Sequence, residues 1–298
     1  MTRQWGSVAK RSVKVVISSV FFLGASTIDW FRRVMSSRAP ATYVVLYYHA
    51  VPAQTRERFA RQMDTLVRVA TPIPADSSRK LEPGKQYAAV TFDDGLLSVI
   101  ENAIPALVSR KIPATLFIVA GRLGCEQDWA VFGEGYDKSD RLGTTEELRA
   151  LPTDLITIGS HTISHPVLPC LRKDTAAEEL SSSRRMLQTL LGRDINLFSF
   201  PYGAFNDALI GMCRAVGYTR VFTTLPLNAH SDPSEFVTGR VSVDATDWDL
   251  EFMLKLIGAY SWMPRVSALK RKLWGRFLQN SPENAMSRQT AARNQGLR

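Results

Sequence analysis

The sequence reads VTFDDG at residues 90–95 and HTISHP at residues 161–166, and these two stretches form its strongest pattern. In the first, Asp93 and Asp94 follow a run of β-branched and aromatic residues that predicts a strand. In the second, His161 and His165 are four positions apart, so a turn can bring both imidazoles to one side. One carboxylate and two imidazoles suit a divalent metal ion, and they leave the second aspartate available for proton transfer. The combination predicts a hydrolase.

Each motif alone has an ordinary explanation. Asp-Asp-Gly is common in turns that cap a helix, and most His-x-x-x-His pairs are surface or core histidines. The chain contains only four histidines, so the joint presence of both motifs favours the metal site.

Length and composition are those of a globular protein. The chain has 298 residues, of which 45% are hydrophobic and 22% charged, enough for one large domain or two small ones. The three cysteines, Cys125, Cys170 and Cys213, lie far apart in the sequence and include no Cys-x-x-Cys pair. This argues against a disulfide framework and against a structural zinc ribbon.

The net charge of +9 is concentrated at the two ends of the chain. Basic ends around a nearly neutral middle fit contact with an anionic surface, either membrane lipid or nucleic acid. The sequence has no helix-turn-helix, zinc-finger or aromatic RNA-binding signature. We therefore expect an anionic membrane surface as a partner and no nucleic acid, and no pattern specifies an oligomeric state.

An apolar segment near the start predicts membrane contact. Residues 15–28 are uncharged, but they fall short of the roughly 20 residues that span a bilayer. Their length also matches a secretory signal, with Gly24 and Ser26 as small cleavage-site residues, and an ordinary packed helix is the third alternative. The Trp-Phe-Arg-Arg sequence at residues 30–33 favours an uncleaved anchor.

The other end has a second segment of this kind. Residues 262–278 form a basic amphipathic helical pattern, which suits a membrane surface or packing on its own domain. The polar residues from Asn280 onward predict disorder. The sequence thus predicts three parts: an anchor or signal-like segment at 1–39, a catalytic domain at 40–261, and an amphipathic helix with a disordered tail at 262–298.

Between residues 40 and 250, short β-branched or aromatic runs alternate with helical patterns. A capping box at Thr144–Glu147 opens one helix, and another helix has Asp174 as its N-cap and Gly192 as its stop. This alternation predicts an α/β fold with a parallel sheet, open or closed into a barrel. The predicted strands are 43–48, 88–92, 114–120, 155–158, 197–200, 219–223 and 240–243, and further helices are predicted at 98–110 and 207–216.

Together with FSFPYG at residues 198–203, the two motifs resemble those of the polysaccharide deacetylases, the NodB-homology enzymes of carbohydrate esterase family 4. The resemblance extends from about Tyr43 to Asp249. It implies a distorted (β/α)7-8 barrel with its site at the C-terminal ends of the strands, as barrel architecture also predicts. It also implies removal of N-acetyl groups from the amino sugars of a polysaccharide or cell-envelope glycan. We therefore expect a membrane-associated protein of the cell envelope, on the extracytoplasmic side, with the cytoplasmic face as the alternative.

The resemblance assigns roles to the two motifs. Asp94, His161 and His165 would bind one divalent metal ion, usually zinc in this family, with Co2+ or Ni2+ as alternatives. Asp93 would be the general base that takes a proton from water.

The third motif matches the family only in part. Pro201 and Tyr202 would bind substrate, with the backbone N–H of Tyr202 facing the tetrahedral oxyanion. Common members carry an arginine in this motif that pairs with the base, and here that position is Ser199. Arg240, which we group with the substrate side of the site, is the predicted replacement partner of Asp93; the alternative is a simple surface charge.

A second departure concerns the general acid. Common members supply it from a C-terminal Leu-x-His motif, and no such motif follows Asp249. The sequence YYHAV at residues 47–51 resembles instead the poly-N-acetylglucosamine deacetylase branch, in which the corresponding histidine protonates the leaving amine. His49 is therefore the predicted general acid; the alternative is a hydrogen-bonded histidine at a strand end.

Other functions compete with a polysaccharide deacetylase. A deacylase or deformylase acting on a lipid-linked amino sugar would suit a membrane-associated chain. A metal-free carbohydrate-binding pseudoenzyme is the alternative from another class, although the presence of all the candidate site residues argues against it. A nucleic-acid binder would rest on charge alone.

Overall fold

The computed structural model describes residues 11–20, 41–129, 140–225 and 235–260. The strands in these ranges are β1 (Thr42–Tyr48), β2 (Thr71–Pro72), β3 (Gln86–Phe92), β4 (Ala114–Ile118), β5 (Ile156–Ser160), β6 (Leu197–Ser199), β7 (Arg220–Phe222), β8 (Val237–Thr238) and β9 (Val241–Ser242). The helices are α1 (residues 11–20), α2 (Arg56–Val69), α3 (Ile104–Ser109), α4 (Thr145–Arg149), α5 (Lys173–Leu191), α6 (Asp207–Val216) and α7 (Asp249–Leu256).

The strands form one parallel sheet that curls until its two edges approach. The order is β8-β7-β6-β5-β4-β3-β1-β9, with β2 beside β3. The end strands β8 and β9 are joined by Gly239 and Arg240 alone. Because two residues bridge no more than about 10 Å, the opposite edges of the sheet must meet at this connection. Arg240 therefore lies at the seam of the barrel.

The two faces of the sheet contribute to different apolar clusters. Along β1, Val44 and Leu46 belong to the larger cluster, which includes Phe59 of α2, so this face is covered by helices. The alternate residues Tyr43 and Val45 belong to a smaller cluster on the opposite, concave face. Burial on both faces explains why these strands read as continuous apolar runs.

The predicted fold is confirmed. All seven predicted strands are present, with ends shifted by at most two residues. Strands β2 and β8, of two residues each, and helices α2 and α7 were not predicted. One N-cap was placed wrongly, since α5 follows Arg172 and Asp174 lies in its first turn. The capping box of α4 is present, and Pro105 opens α3 behind a π-helical turn at Val99–Ala103.

The parallel arrangement brings the candidate residues to one edge of the sheet. His49 follows β1, Asp93 and Asp94 follow β3, and His161 follows β5. The register pairs Tyr48 of β1 with Phe92 of β3, so His49 and Asp93 leave their strands at the same level. The C-terminal ends of the strands are where barrels of this type place their sites.

The predicted terminal segments are only partly covered. Residues 15–20 of the apolar segment belong to the helical α1, whereas residues 21–39 and the amphipathic helix at 262–278 lie outside the described residues. Among the helices that the structure describes, none has the length and apolar character to cross a bilayer.

Candidate metal and catalytic site

The turn after β3 points its two carboxylates in different directions. Asp93 continues the strand, since its N–H donates to the carbonyl of Tyr48 at 2.9 Å. Asp94 adopts a left-handed backbone with φ 71°, which is costly for a residue with a Cβ. Gly95 is also left-handed, and a Cβ there would lie 2.6 Å from Ile118 Cδ1. The local strain thus separates two adjacent side chains that are both buried.

The loop after β5 holds both histidines through a second strained turn. Thr162 and His165 have φ values of 71° and 58°, and the N–H of His165 donates to Thr162 Oγ1 at 3.0 Å. Glu179 of α5 fastens the tip of the loop, accepting from the N–H of Ile163 at 2.7 Å. The two imidazole centroids are consequently 5.0 Å apart.

Asp94 and the two histidines converge with the spacing of metal ligands. Asp94 Oδ1 lies 3.6 Å from His161 Nε2 and 3.4 Å from His165 Nε2. Bonds of about 2.0–2.2 Å in tetrahedral geometry would place ligand atoms roughly 3.3–3.6 Å apart. The same carboxylate oxygen is buried and has no hydrogen-bond partner among the described residues. The three side chains therefore fit one divalent cation.

The protonation states also suit a metal. Burial lowers the pKa of His161 to about 4 and that of His165 to about 2, so both imidazoles are neutral at pH 7. Burial and then the charge of Asp93 raise the pKa of Asp94 well above its ordinary 3.8. Neutral imidazole and ionised carboxylate are the ligand forms, and a bound cation would supply the positive charge that an ionised Asp94 needs.

Asp93 is neutralised within the chain by Arg240. The guanidinium donates to both carboxylate oxygens at 2.7 Å each and is itself fully buried. It also lies 4.7 Å from the ring centroid of Tyr47. Burial alone would raise the pKa of Asp93, but the charge of Arg240, then that of His161, holds it well below 3.8. Arg240 is thus placed behind the predicted base.

Ser199 contacts both Arg240, the partner of Asp93, and His161, a candidate metal ligand. Its hydroxyl accepts a hydrogen bond from Arg240 Nη2 at 2.7 Å, and its carbonyl lies 2.8 Å from His161 Nδ1. A proton on Nδ1 of His161 directs the lone pair of Nε2 towards the metal position. The sequence analysis treated Ser199 only as the site of a missing arginine. Its small side chain instead leaves room for the guanidinium of Arg240, which comes from the connection between β8 and β9.

His49 follows β1 at the level at which Asp93 follows β3. It is half-buried, and the ring of Tyr47 meets its ring edge-on at 5.5 Å between centroids. Burial lowers the pKa of His49, and the charge of Asp93 opposes that shift. The charge of His49 in turn contributes to the lowering of the pKa of Asp93, after the larger effects of Arg240 and His161.

The third motif forms a tight turn at Pro201–Gly203. Tyr202 has a left-handed backbone with φ 57°, and its ring meets that of His165 edge-on at 4.6 Å. Gly203 must remain glycine, since a Cβ would lie 1.8 Å from Thr224 Oγ1. The turn therefore brings Tyr202 to the metal ligands while Pro201 is buried behind it. Substrate binding by these two residues stays a prediction.

Trp129 was missed by the sequence analysis. Its ring stacks on that of His165, with centroids 4.6 Å apart and an interplanar angle of 25°. It ends a polar stretch with no apolar periodicity, so no local pattern signals a position beside a metal ligand.

Comparisons with known proteins indicate the family of this domain. Residues 80–221 match the family model described as Polysaccharide deacetylase. YxkH of Bacillus subtilis (strain 168), a protein named for the same family, is 23% identical over 220 residues, which cover 70% of this chain and 74% of YxkH. The poly-beta-1,6-N-acetyl-D-glucosamine N-deacetylase of Staphylococcus aureus (strain MRSA252) is 26% identical over 141 residues. That match covers 45% of this chain and 46% of the staphylococcal protein, so the chain spans about half the length of this relative.

Solved structures share the fold. IcaB from Ammonifex degensii superposes with a TM-score of 0.62 and 25% identity, over 74% of this chain and 99% of that one. The Streptococcus pyogenes deacetylase PplD superposes with a TM-score of 0.58 and 19% identity, over 73% and 99% of the two chains.

The Arg240–Asp93 pair predicts a large effect of Arg240→Ala. Removing the guanidinium leaves a buried carboxylate without a counter-charge, so we expect the free energy of unfolding at pH 7 to fall by about 3–5 kcal/mol in urea titrations. Without Arg240, burial raises the pKa of Asp93, so the difference from wild type is full above that raised pKa and shrinks as the pH falls below it and Asp93 of the variant becomes neutral. The acid limb of any pH–activity profile should move to higher pH, because an unpaired buried Asp93 protonates more readily.

Arg110→Ala is the matched control. Arg110 forms a similar pair with Asp64, at 2.7 Å, but that carboxylate is largely exposed. The exposed pair should contribute less than about 1 kcal/mol. Equal effects of the two substitutions, or an unchanged pH profile for Arg240→Ala, would contradict the buried-pair account.

Proposed function

Residues 80–221 form a polysaccharide deacetylase domain, and from that premise we propose that the protein is a metal-dependent hydrolase that removes N-acetyl groups from the amino sugars of a glycan. The observation that carries the proposal is the division of labour between two adjacent aspartates. Asp94 faces His161 and His165, whereas Asp93 pairs with Arg240. One carboxylate is thus free for a metal, and the other is held ionised beside it.

The metal would supply electrophilic catalysis. Asp94, His161 and His165 would hold a divalent ion, with zinc as the first candidate and cobalt or nickel as alternatives, and such an ion would supply polarisation of a carbonyl and a more acidic water. Three protein ligands are the number typical of catalytic rather than structural zinc.

Asp93 is the proposed general base. It stays ionised at neutral pH because Arg240 outweighs the effect of burial, and each carboxylate oxygen retains a lone pair beyond its bond to the guanidinium. Proton transfer from water to Asp93 would accompany attack of the water oxygen on the acetamide carbon. Arg240 acts through Asp93 by fixing its orientation and charge.

His49 is the proposed general acid. The amide C–N bond breaks as the protonated ring of His49 delivers its proton to the leaving nitrogen, which gives acetate and a free amine on the sugar; the proton that Asp93 takes from water balances the one that His49 gives up. The position of His49 at the end of β1, level with Asp93 at the end of β3, would place the acid and the base on neighbouring strands. The backbone N–H of Tyr202, in its left-handed turn, is the proposed donor to the oxyanion.

The proposed substrate class is a polymer of N-acetylglucosamine. The support is that the staphylococcal relative is named for poly-beta-1,6-N-acetyl-D-glucosamine. A lipid-linked amino sugar is the second substrate candidate, favoured by the apolar surface of α1 described below. Either substrate would gain positive charge on hydrolysis, because a neutral acetamide becomes an amine.

Defined N-acetylglucosamine oligomers test the reaction and the two aspartates together. We expect the zinc-loaded wild type to release acetyl groups, seen as stepwise mass losses in mass spectrometry. Asp93→Asn should keep the metal but lose about 10²–10⁴-fold in rate, because only the base is removed. Asp94→Asn should lose both the metal and the activity.

Asp64→Asn, a surface substitution, is the control and should behave as wild type. A protein that binds the oligomers but takes up no zinc, cobalt or nickel would be a carbohydrate-binding pseudoenzyme. Deacylation of lipid-linked amino sugars alone, with no reaction on oligomers, would replace the polymer by the lipid carrier.

We further propose that the protein lies on an anionic membrane, on the extracytoplasmic side of the cell envelope. The support is the outer surface of α1, where Val13, Val16, Ile17 and Val20 are 42% to 65% exposed. Lys14, also exposed, adds attraction to anionic lipid. Apolar side chains with a neighbouring cation are typical of helices that lie in a membrane interface.

The opposite side of α1 is fixed to the catalytic domain. Arg11 binds Glu251 of α7 at 2.5 Å and Asp247 at 3.1 Å, and it lies 4.9 Å from the ring centroid of Trp248. Val15 and Ser18 are buried on the same side. Docking of α1 on lipid would therefore hold the deacetylase domain itself at the membrane.

Vesicle sedimentation tests this surface. With liposomes that contain phosphatidylglycerol, the double variant Val16→Ser/Val20→Ser should bind at least about tenfold more weakly than wild type, because two apolar side chains are lost from the interface. The control Val67→Ser/Val108→Ser alters two exposed valines outside α1, which are 43% and 39% exposed, and should bind as wild type. Equal losses in both variants, or no binding of the wild type, would contradict the proposal.

A further inference from the structure

The two histidines of the proposed metal site are held by different means. His161 is oriented by a hydrogen bond between Nδ1 and the carbonyl of Ser199 at 2.8 Å. The corresponding Nδ1 of His165 is buried and has no hydrogen-bond partner among the described residues. Metal-binding histidines usually have such a partner, which fixes the plane of the ring. Another interaction must restrain the ring of His165.

Ring contacts provide that restraint. Trp129 stacks on His165 with centroids 4.6 Å apart and planes 25° apart, and Tyr202 meets the same ring edge-on, also at 4.6 Å. Rotation about the Cβ–Cγ bond of a histidine has broad, shallow minima, so an unrestrained ring would turn Nε2 away from Asp94. A flat indole against one face favours the ring plane of the structure, in which Nε2 lies 3.4 Å from Asp94 Oδ1.

The segment that leads from β4 to Trp129 is tied to the histidine loop at its start. In the segment after β4, the N–H of Ala120 donates to the carbonyl of Thr162 at 2.9 Å, and that of Gly121 donates to Ile163 at 3.0 Å. A Cβ at Gly121 would lie 2.7 Å from the Ile163 carbonyl oxygen, so the close approach requires glycine. The segment that carries Trp129 and the loop that carries His165 are therefore joined directly.

We propose that Trp129 is a positioning residue of the metal site. It holds the ring of His165 by stacking, whereas a hydrogen bond orients the ring of His161. The proposal rests on the metal site of the proposed function. Trp129 acts through His165 and contacts no reacting atom. The indole already restricts the orientations of His165 in the metal-free protein. Less conformational entropy is therefore lost when the metal binds, which should strengthen metal binding.

Metal affinity of the full chain tests the proposal. Zinc dissociation constants are measured by competition with a chromophoric chelator, and the visible absorption of the Co2+-loaded protein reports ligand geometry. Trp129→Leu and Trp129→Gln should each weaken zinc binding by about tenfold, as loss of other groups that orient ligands does, and should alter the Co2+ spectrum. Trp129→Phe keeps a stacking ring and should restore affinity to within about threefold of wild type.

Trp248→Leu is the matched control, since it removes the other tryptophan of the described residues without touching a proposed metal ligand, and its zinc affinity should equal that of wild type. Unfolding temperatures of the metal-free variants verify that each is folded. Wild-type zinc affinity in both Trp129→Leu and Trp129→Gln would overturn the proposal while leaving the metal site intact. A higher KM for glycan with unchanged zinc affinity would also overturn it, because Trp129 would then be a sugar-stacking surface. Absence of metal binding by the wild type would instead refute the proposed function.

Discussion

The buried ion pair between Arg240 and Asp93 is the constraint on which the site depends. Arg240 occupies the two-residue connection where the edges of the sheet meet, and Asp93 ends a central strand. A carboxylate and a guanidinium are each costly to bury alone, so the pair is stable only when the barrel is closed. Closure of the barrel therefore also orients the proposed base. Arg240 donates hydrogen bonds to Thr91 of β3 and Ser199 of β6 as well, so the same guanidinium connects these two strands.

The ion pair between Asp93 and Arg240 determines the charge environment of Asp94. The guanidinium is used by one carboxylate, so Asp94 remains buried beside a negative charge, and its pKa rises while that of Asp93 falls. A left-handed turn holds the two side chains apart. Asp94, whose carboxylate is not bonded by Arg240, faces two neutral imidazoles. This arrangement attracts a metal cation. Adjacent and chemically identical residues thereby acquire opposite properties from their surroundings.

The sequence predicted the parts of the fold that local patterns determine. Strands were recognisable because burial on both faces requires continuous apolar runs, whereas the two residues of β2, Thr71 and Pro72, and those of β8, Val237 and Thr238, form no such run. Asp174 was taken for an N-cap because acidic residues favour the whole first turn of a helix, so the cap was misplaced by two positions. The contact of Arg240 with Asp93 was anticipated from a missing arginine. The double role of Ser199 and the stacking of Trp129 arise from tertiary contacts that no local pattern records.

Anomalous diffraction at the zinc edge, from crystals of the zinc-loaded protein, tests the central claim most directly. The account predicts one peak about 2.0–2.2 Å from Asp94 Oδ1, His161 Nε2 and His165 Nε2, with Asp93 still paired to Arg240. A peak coordinated by Asp93, or an active protein with no metal at these three ligands, would contradict the division of labour between the two aspartates.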